Sequence, residues 1–302
     1  MDITAESGTG EVEVDPQLVH VKRLYMSGCE FAGRADGFSA GLAISIFQDA
    51  VEDLLRYLVG RLDGKISKVP NFAELMNAVE NTGDDGNARK LGYRTRIENL
   101  NRARVSFKHD GVCPAASEAL KFKLYALEFL VAGCSDFLCG LDFNSVSITS
   151  LVAYPEVKQE LRGAEAALEA NDPVAAAVHC SKSNGLIMLR LGEHLPRPSM
   201  VIPRGDTILA GAFPDLYQLR IFDEIYSYLE RSAEFSAAAM LGVPIKQYTR
   251  VIAALPRADL LSDNSWGVVH TSQATLDREL AREAIDLFAN MAIKAQEFLG
   301  EG

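Results

Sequence analysis

No apolar run in this chain reaches the roughly 18 residues that a membrane span requires. The first fifteen residues, MDITAESGTGEVEVD, are acidic and lack an apolar stretch, so no secretory leader is expected and a cytoplasmic location is. Cysteine is sparse: Cys29, Cys113, Cys134, Cys139 and Cys180 are odd in number and show no framework spacing. The closest two, Cys134 and Cys139, lie in an apolar run and match neither a zinc knuckle nor a redox pair, so buried free thiols are expected. Positive charge is also scarce. Thirty Lys and Arg face 41 Asp and Glu, and the net charge of −11 excludes indiscriminate binding to nucleic acid or anionic membrane. The five histidines (His20, His109, His179, His194, His270) have neither H-E-x-x-H nor paired E-x-x-H spacing, so no metal and no cofactor is expected. Phosphate loops are absent too: GKIS at 64–67 has Val59 where the first glycine belongs, and no G-x-G-x-x-G follows a strand.

What remains is a helical pattern. Of 302 residues, 48 % are hydrophobic and 24 % charged, enough for one large core or two ordinary ones. Residues 1–15 read as a disordered acidic tail. In 37–61, Ile44, Phe47, Val51, Leu54, Leu55, Leu58 and Val59 recur at three-and-four spacing, with Ser39 placed to cap the start and Gly64 beyond the end. A second helix holds Phe72, Leu75, Met76 and Val79 and is broken by NTGDDGN at 81–87. A third carries Leu91, Ile97, Leu100 and Phe107 up to HDG. Pro114 opens a fourth, where Leu120, Phe122, Leu124, Leu127, Phe129 and Leu130 make one apolar face. Residues 16–141 thus predict an antiparallel four-helix bundle. The β-branched stretch 142–155 is expected to connect it to a second helical half, 156–302. There the spacing predicts a helix over 156–170, another with Asp172 as N-cap and Pro173 in its first turn, a proline-punctuated loop over 195–206, and helices over 214–241, 244–254 and 275–299. The pair around Asn171–Pro173 looks like a tetratricopeptide unit, but no second copy follows at a period near 34 residues, so no solenoid is expected. Convincing strands are nearly absent, and the fold class is all-α in two helical halves.

GFSAG at 37–41 matches G-x-S-x-G, yet the nucleophile elbow needs a core strand before it and EFAGRAD is none, so Ser39 reads as a helix cap. The segment that invites chemistry is NLNRARVSFKHDG, 99–111. From Gly86 to Gly111 seven Lys/Arg face two acids, a surplus of five positive charges that leaves the rest of the chain at −16. His109 follows Arg102 by seven positions and shares its helix face; Arg104, five before His109, lies about 140° round a regular helix. Those two meet only if the helix unwinds near Lys108 or a second chain completes the site. A histidine beside arginines suits metal-free RNA cleavage: imidazole moves protons near neutral pH, and guanidinium binds phosphate by two hydrogen bonds. The structural alternative stays open. Glu98 and Arg102 are i,i+4 partners, while Lys108 and His109 complement a helix C-terminus closed by Asp110 and Gly111.

Arg-x4-6-His near the end of an amphipathic helix, inside a bundle of about a hundred residues, resembles the HEPN superfamily (higher eukaryotes and prokaryotes nucleotide-binding domains). Arg104 to His109 fits the x4 form and Arg102 to His109 the x6 form, and LNRAR…KHDG is similar to the family texture, over roughly 37–141. The resemblance implies a metal-independent endoribonuclease of defence or toxin type, its site formed in a homodimer. His109 would be the acid/base, Arg104 or Arg102 the phosphate clamp and Asn101 a supporting group; the basic patch suggests Arg94, Arg96 and Lys108 as further RNA-phosphate contacts. Val105 and Ala103 follow the two arginines where catalytic members place polar residues. The same resemblance therefore also implies a non-catalytic interaction or regulatory scaffold with a protein partner.

Overall fold

A computed structural model describes residues 15–82, 90–194, 228–229, 231–261, 263, 265–269 and 277–301. The acidic tail through Val14, most of the 81–87 break, the 195–206 loop, the 214–227 part of the helix expected over 214–241 and His270 lie outside the described residues. The class is all-α, and the chain divides into a first compact unit ending at Ile148 and a second beginning at Thr149.

The first unit contains α1 (Pro16–Ala32), α2 (Gly37–Arg61), α3 (Phe72–Glu80), α4 (Arg94–Asp110) and α5 (Ala116–Phe137), so the described residues hold five helices where the spacing suggested four. Asp15 starts α1 by accepting from the Gln17 amide at 2.9 Å, with Pro16 in the first turn. α2 is capped by Asp36, not by Ser39. Asp36 accepts from the Ser39 amide at 2.8 Å, and that hydrogen bond holds its carboxyl below the usual range. Ser39 is itself buried, within the first turn, and the element before it is α1 rather than a strand, so the elbow geometry is absent. α2 packs against each of the other four helices. Gly41 is required where α4 meets it: a Cβ there would lie 2.2 Å from the Phe107 ring. Asn71 caps α3 through the Glu74 amide at 2.9 Å. α4 ends as HDG suggested, with Gly111 left-handed at φ 69°. α5 differs from its expected single face. Phe122, Phe129 and Leu130 are buried, whereas Leu120 and Leu124 are exposed.

The second unit holds α6 (Pro155–Glu169), α7 (Pro173–His194), α8 (231–240), α9 (Ile245–Ala254), an antiparallel hairpin of β1 (Arg257–Leu260) and β2 (Trp266–Val269), and α10 (Arg278–Leu299). The α6–α7 turn forms as read: Asn171 adopts φ 59°, Asp172 accepts from the Ala175 amide at 2.9 Å, and Pro173 begins α7. α7 packs against α6, α10 and β1. The hairpin was not legible, because strands of four residues are too short for alternation to mark them. It docks where Gly185 of α7 lets the Trp266 ring approach to 3.1 Å of a would-be Cβ.

Candidate functional site

Of the 17 residues of α4, only Ile97 and Leu100 are fully buried. A helix with so little apolar anchorage needs other attachments, and its arginines supply them. Arg94 is bound to Glu80 of α3, to Asn77 Oδ1 at 2.8 Å and to Glu98 at 3.1 Å. Arg96 is bound to Glu128 of α5, which raises its pKa, and its guanidinium lies 5.0 Å from the Tyr93 ring centroid and 5.1 Å from that of Tyr125. Two of the three cations suggested as RNA-phosphate contacts, Arg94 and Arg96, thus have carboxylate partners within the chain. Glu98 pairs with Arg94 rather than with Arg102, and Arg102, exposed, is hydrogen-bonded to Asn99.

Arg104 turns toward α2. Its charge acts on half-buried Asp49 and on Glu52, and Lys108 acts on Asp49 as well. Burial pushes the Asp49 carboxyl up, against the pull of Lys108 and Arg104. Burial acts the same way on Glu52, but hydrogen bonds from Arg56 at 2.6 Å and Gln48 at 2.8 Å outweigh it and leave that carboxyl below its usual value. Two buried atoms here, Arg104 Nε and Gln48 Oε1, have no hydrogen-bond partner among the described residues. The helix stays regular through Asp110, so Arg104 and His109 point about 140° apart and do not meet within one chain. His109 is exposed in the last turn, on the face it shares with exposed Arg102; Asn101 is half-buried and Lys108 exposed.

Elsewhere, burial raises the thiol pKa of Cys29 and Cys180 and pushes that of Cys134 up to about 12, which disfavours the nucleophilic thiolate. Among the described residues no group of three or more His, Cys, Asp or Glu is placed to hold a metal ion. One pairing escaped the sequence reading: His179 Nδ1 lies 2.7 Å from Glu160 Oε2, across the α6–α7 hairpin and next to Gly163. Nineteen residues separate the two, so no local spacing marks them. No helix among the described residues is long and apolar enough to cross a membrane. No family model, no curated protein and no solved structure matches this chain.

Proposed function

We propose that the chain is a helical protein-interaction module whose basic segment fastens α4 to the acidic helices around it. The observation that carries this reading is the pairing of Arg94 with Glu80 and Glu98 and of Arg96 with Glu128, while the charge of Arg104 acts on Asp49 and Glu52. A phosphate arriving at Arg94 or Arg96 would have to displace a carboxylate already in place, and the chain's net charge of −11 repels it at longer range.

A second reading has its own support: Arg102 and His109 are exposed on one face of α4. Paired with their counterparts in a second copy, they fit a metal-independent endoribonuclease. The RNA 2′-hydroxyl would attack the phosphorus and expel the 5′-oxygen; His109 would move the proton, Arg102 would bind the phosphoryl oxygens and Asn101 would support it, with Arg104 left on the α2 side. Total tRNA incubated with the full chain in EDTA separates the two readings. The module reading expects no cleavage. Cleavage that His109→Ala and Arg102→Ala both abolish would replace it with the ribonuclease; cleavage that survives both would assign the activity elsewhere.

A further inference from the structure

We propose that α5 carries a second, outward seam through which two copies of this chain pair. Leu120, Leu124, Leu127 and Val131 recur at spacings of four, three and four, the a/d rhythm of a helix–helix seam. At about 100° per residue they fall in one narrow stripe, turned about 145° from the face that Phe122, Ala126, Phe129 and Leu130 bury inside the unit. Leu120 is 54 % exposed and Leu124 58 %, while Leu127 and Val131 are half-buried. A helix on the surface of a single bundle needs one apolar stripe; α5 has two.

Charge indicates the occupant. The stripe is flanked by Lys121 and Lys123 toward its start and by Glu128 toward its end. A two-fold axis makes such a seam self-complementary. If the helices run antiparallel, Lys121 of one copy lies across from Glu128 of the other; if parallel, Lys123 does. Opposite charges therefore meet in either arrangement, and they meet twice. Within the chain Lys121 lies 3.9 Å from Glu118, both about half exposed, and 4.6 Å from the Phe122 ring centroid, and Glu128 keeps 40 % of its side chain exposed beside Arg96. The seam names one partner for the interaction module and rests on that reading for its purpose, not for its geometry.

Sedimentation equilibrium of the full chain over a micromolar range tests it. The wild type is expected at twice its 32.9 kDa mass. Leu120→Glu/Leu124→Glu is expected to be monomeric with an unchanged circular dichroism spectrum. Lys121→Glu/Lys123→Glu and Glu128→Lys alter no apolar contact; each alone should weaken the dimer about tenfold, and mixing the two should restore it, because the altered charges then attract across the seam. A wild type that stays monomeric, or a dimer that none of these changes moves, overturns the seam. Neither result bears on the module reading, which the RNA assay decides separately.

Discussion

α2 and α4 pack against each other and are held by different forces. α2 buries fourteen of its 25 residues, among them Ile44, Phe47, Leu54, Leu55 and Leu58, which are fully enclosed. α4 buries two and carries the densest run of cations in the chain. Where apolar area is large, burial at roughly 25 cal/mol per Å² fixes a helix without help. Where it is small, charged groups must find partners, and α4 finds them on α3 and α5, while Arg104 and Lys108 act by charge on the acids of α2. The cluster of positive charge in an acidic protein thus has a structural cause: the surrounding helices supply the acids.

Replacing Phe47 with alanine attacks the burial side and should have the largest effect, about 3–5 kcal/mol of unfolding free energy. The ring lies where a Cβ on Gly28 of α1 would be 2.5 Å away, and the Tyr25 ring lies tilted against it with centroids 5.7 Å apart, so little can collapse into the gap. Urea unfolding at 0.1 and at about 1 M salt should give the same loss, since apolar burial is not screened.

Arg94→Ala attacks the charge side. Its three partners are only partly desolvated, so a loss of about 1 kcal/mol is expected at low ionic strength, most of it gone at high salt. A loss that persists at high salt would mean that the arginine stem packs α4 in place, and the contrast between the two helices would weaken.

Much of this contrast could be read from the sequence, though not the pairings that create it. The three-and-four spacing through Ile44, Phe47, Val51 and Leu54 marks a buried helix face, and each of these residues is fully buried. Asp172, Pro173 and Gly111 act locally, through caps and a left-handed turn, and so were legible as well. Ser39 was misplaced because Asp36, three residues earlier, offers a better-placed acceptor. The partners of Arg94 and Arg96 were not legible: Glu80 and Glu128 lie 14 and 32 residues away, and spacing rules reach only a helical turn. The same limit concealed the outward turn of Leu120 and Leu124, since a heptad stripe does not say whether its partner lies in the same chain.

Asp49 belongs to both sides, which makes Asp49→Asn the sharpest test and the smallest effect. It sits on the burial-held helix, half-buried, facing Lys108 and Arg104 of the charge-held one. Its pKa is raised above the ordinary 3.8, first by burial and then by neighbouring Glu52 and Asp53, against the two cations. A folded chain with a raised pKa holds the proton more tightly than the unfolded chain does. The stability this contributes is full below the unfolded value and is lost as pH rises through the folded one. At pH 7 the ionised carboxylate is therefore the less favourable form, and asparagine removes its desolvation cost. The variant should melt slightly above the wild type at pH 7, with the advantage closing as pH falls toward 3.8. If it instead melts lower at pH 7 and salt abolishes the difference, attraction to Arg104 and Lys108 outweighs burial at this position. Asp49 would then join Glu80 and Glu128 among the groups that hold α4 by charge, and the division between the two helices would run through α2 itself.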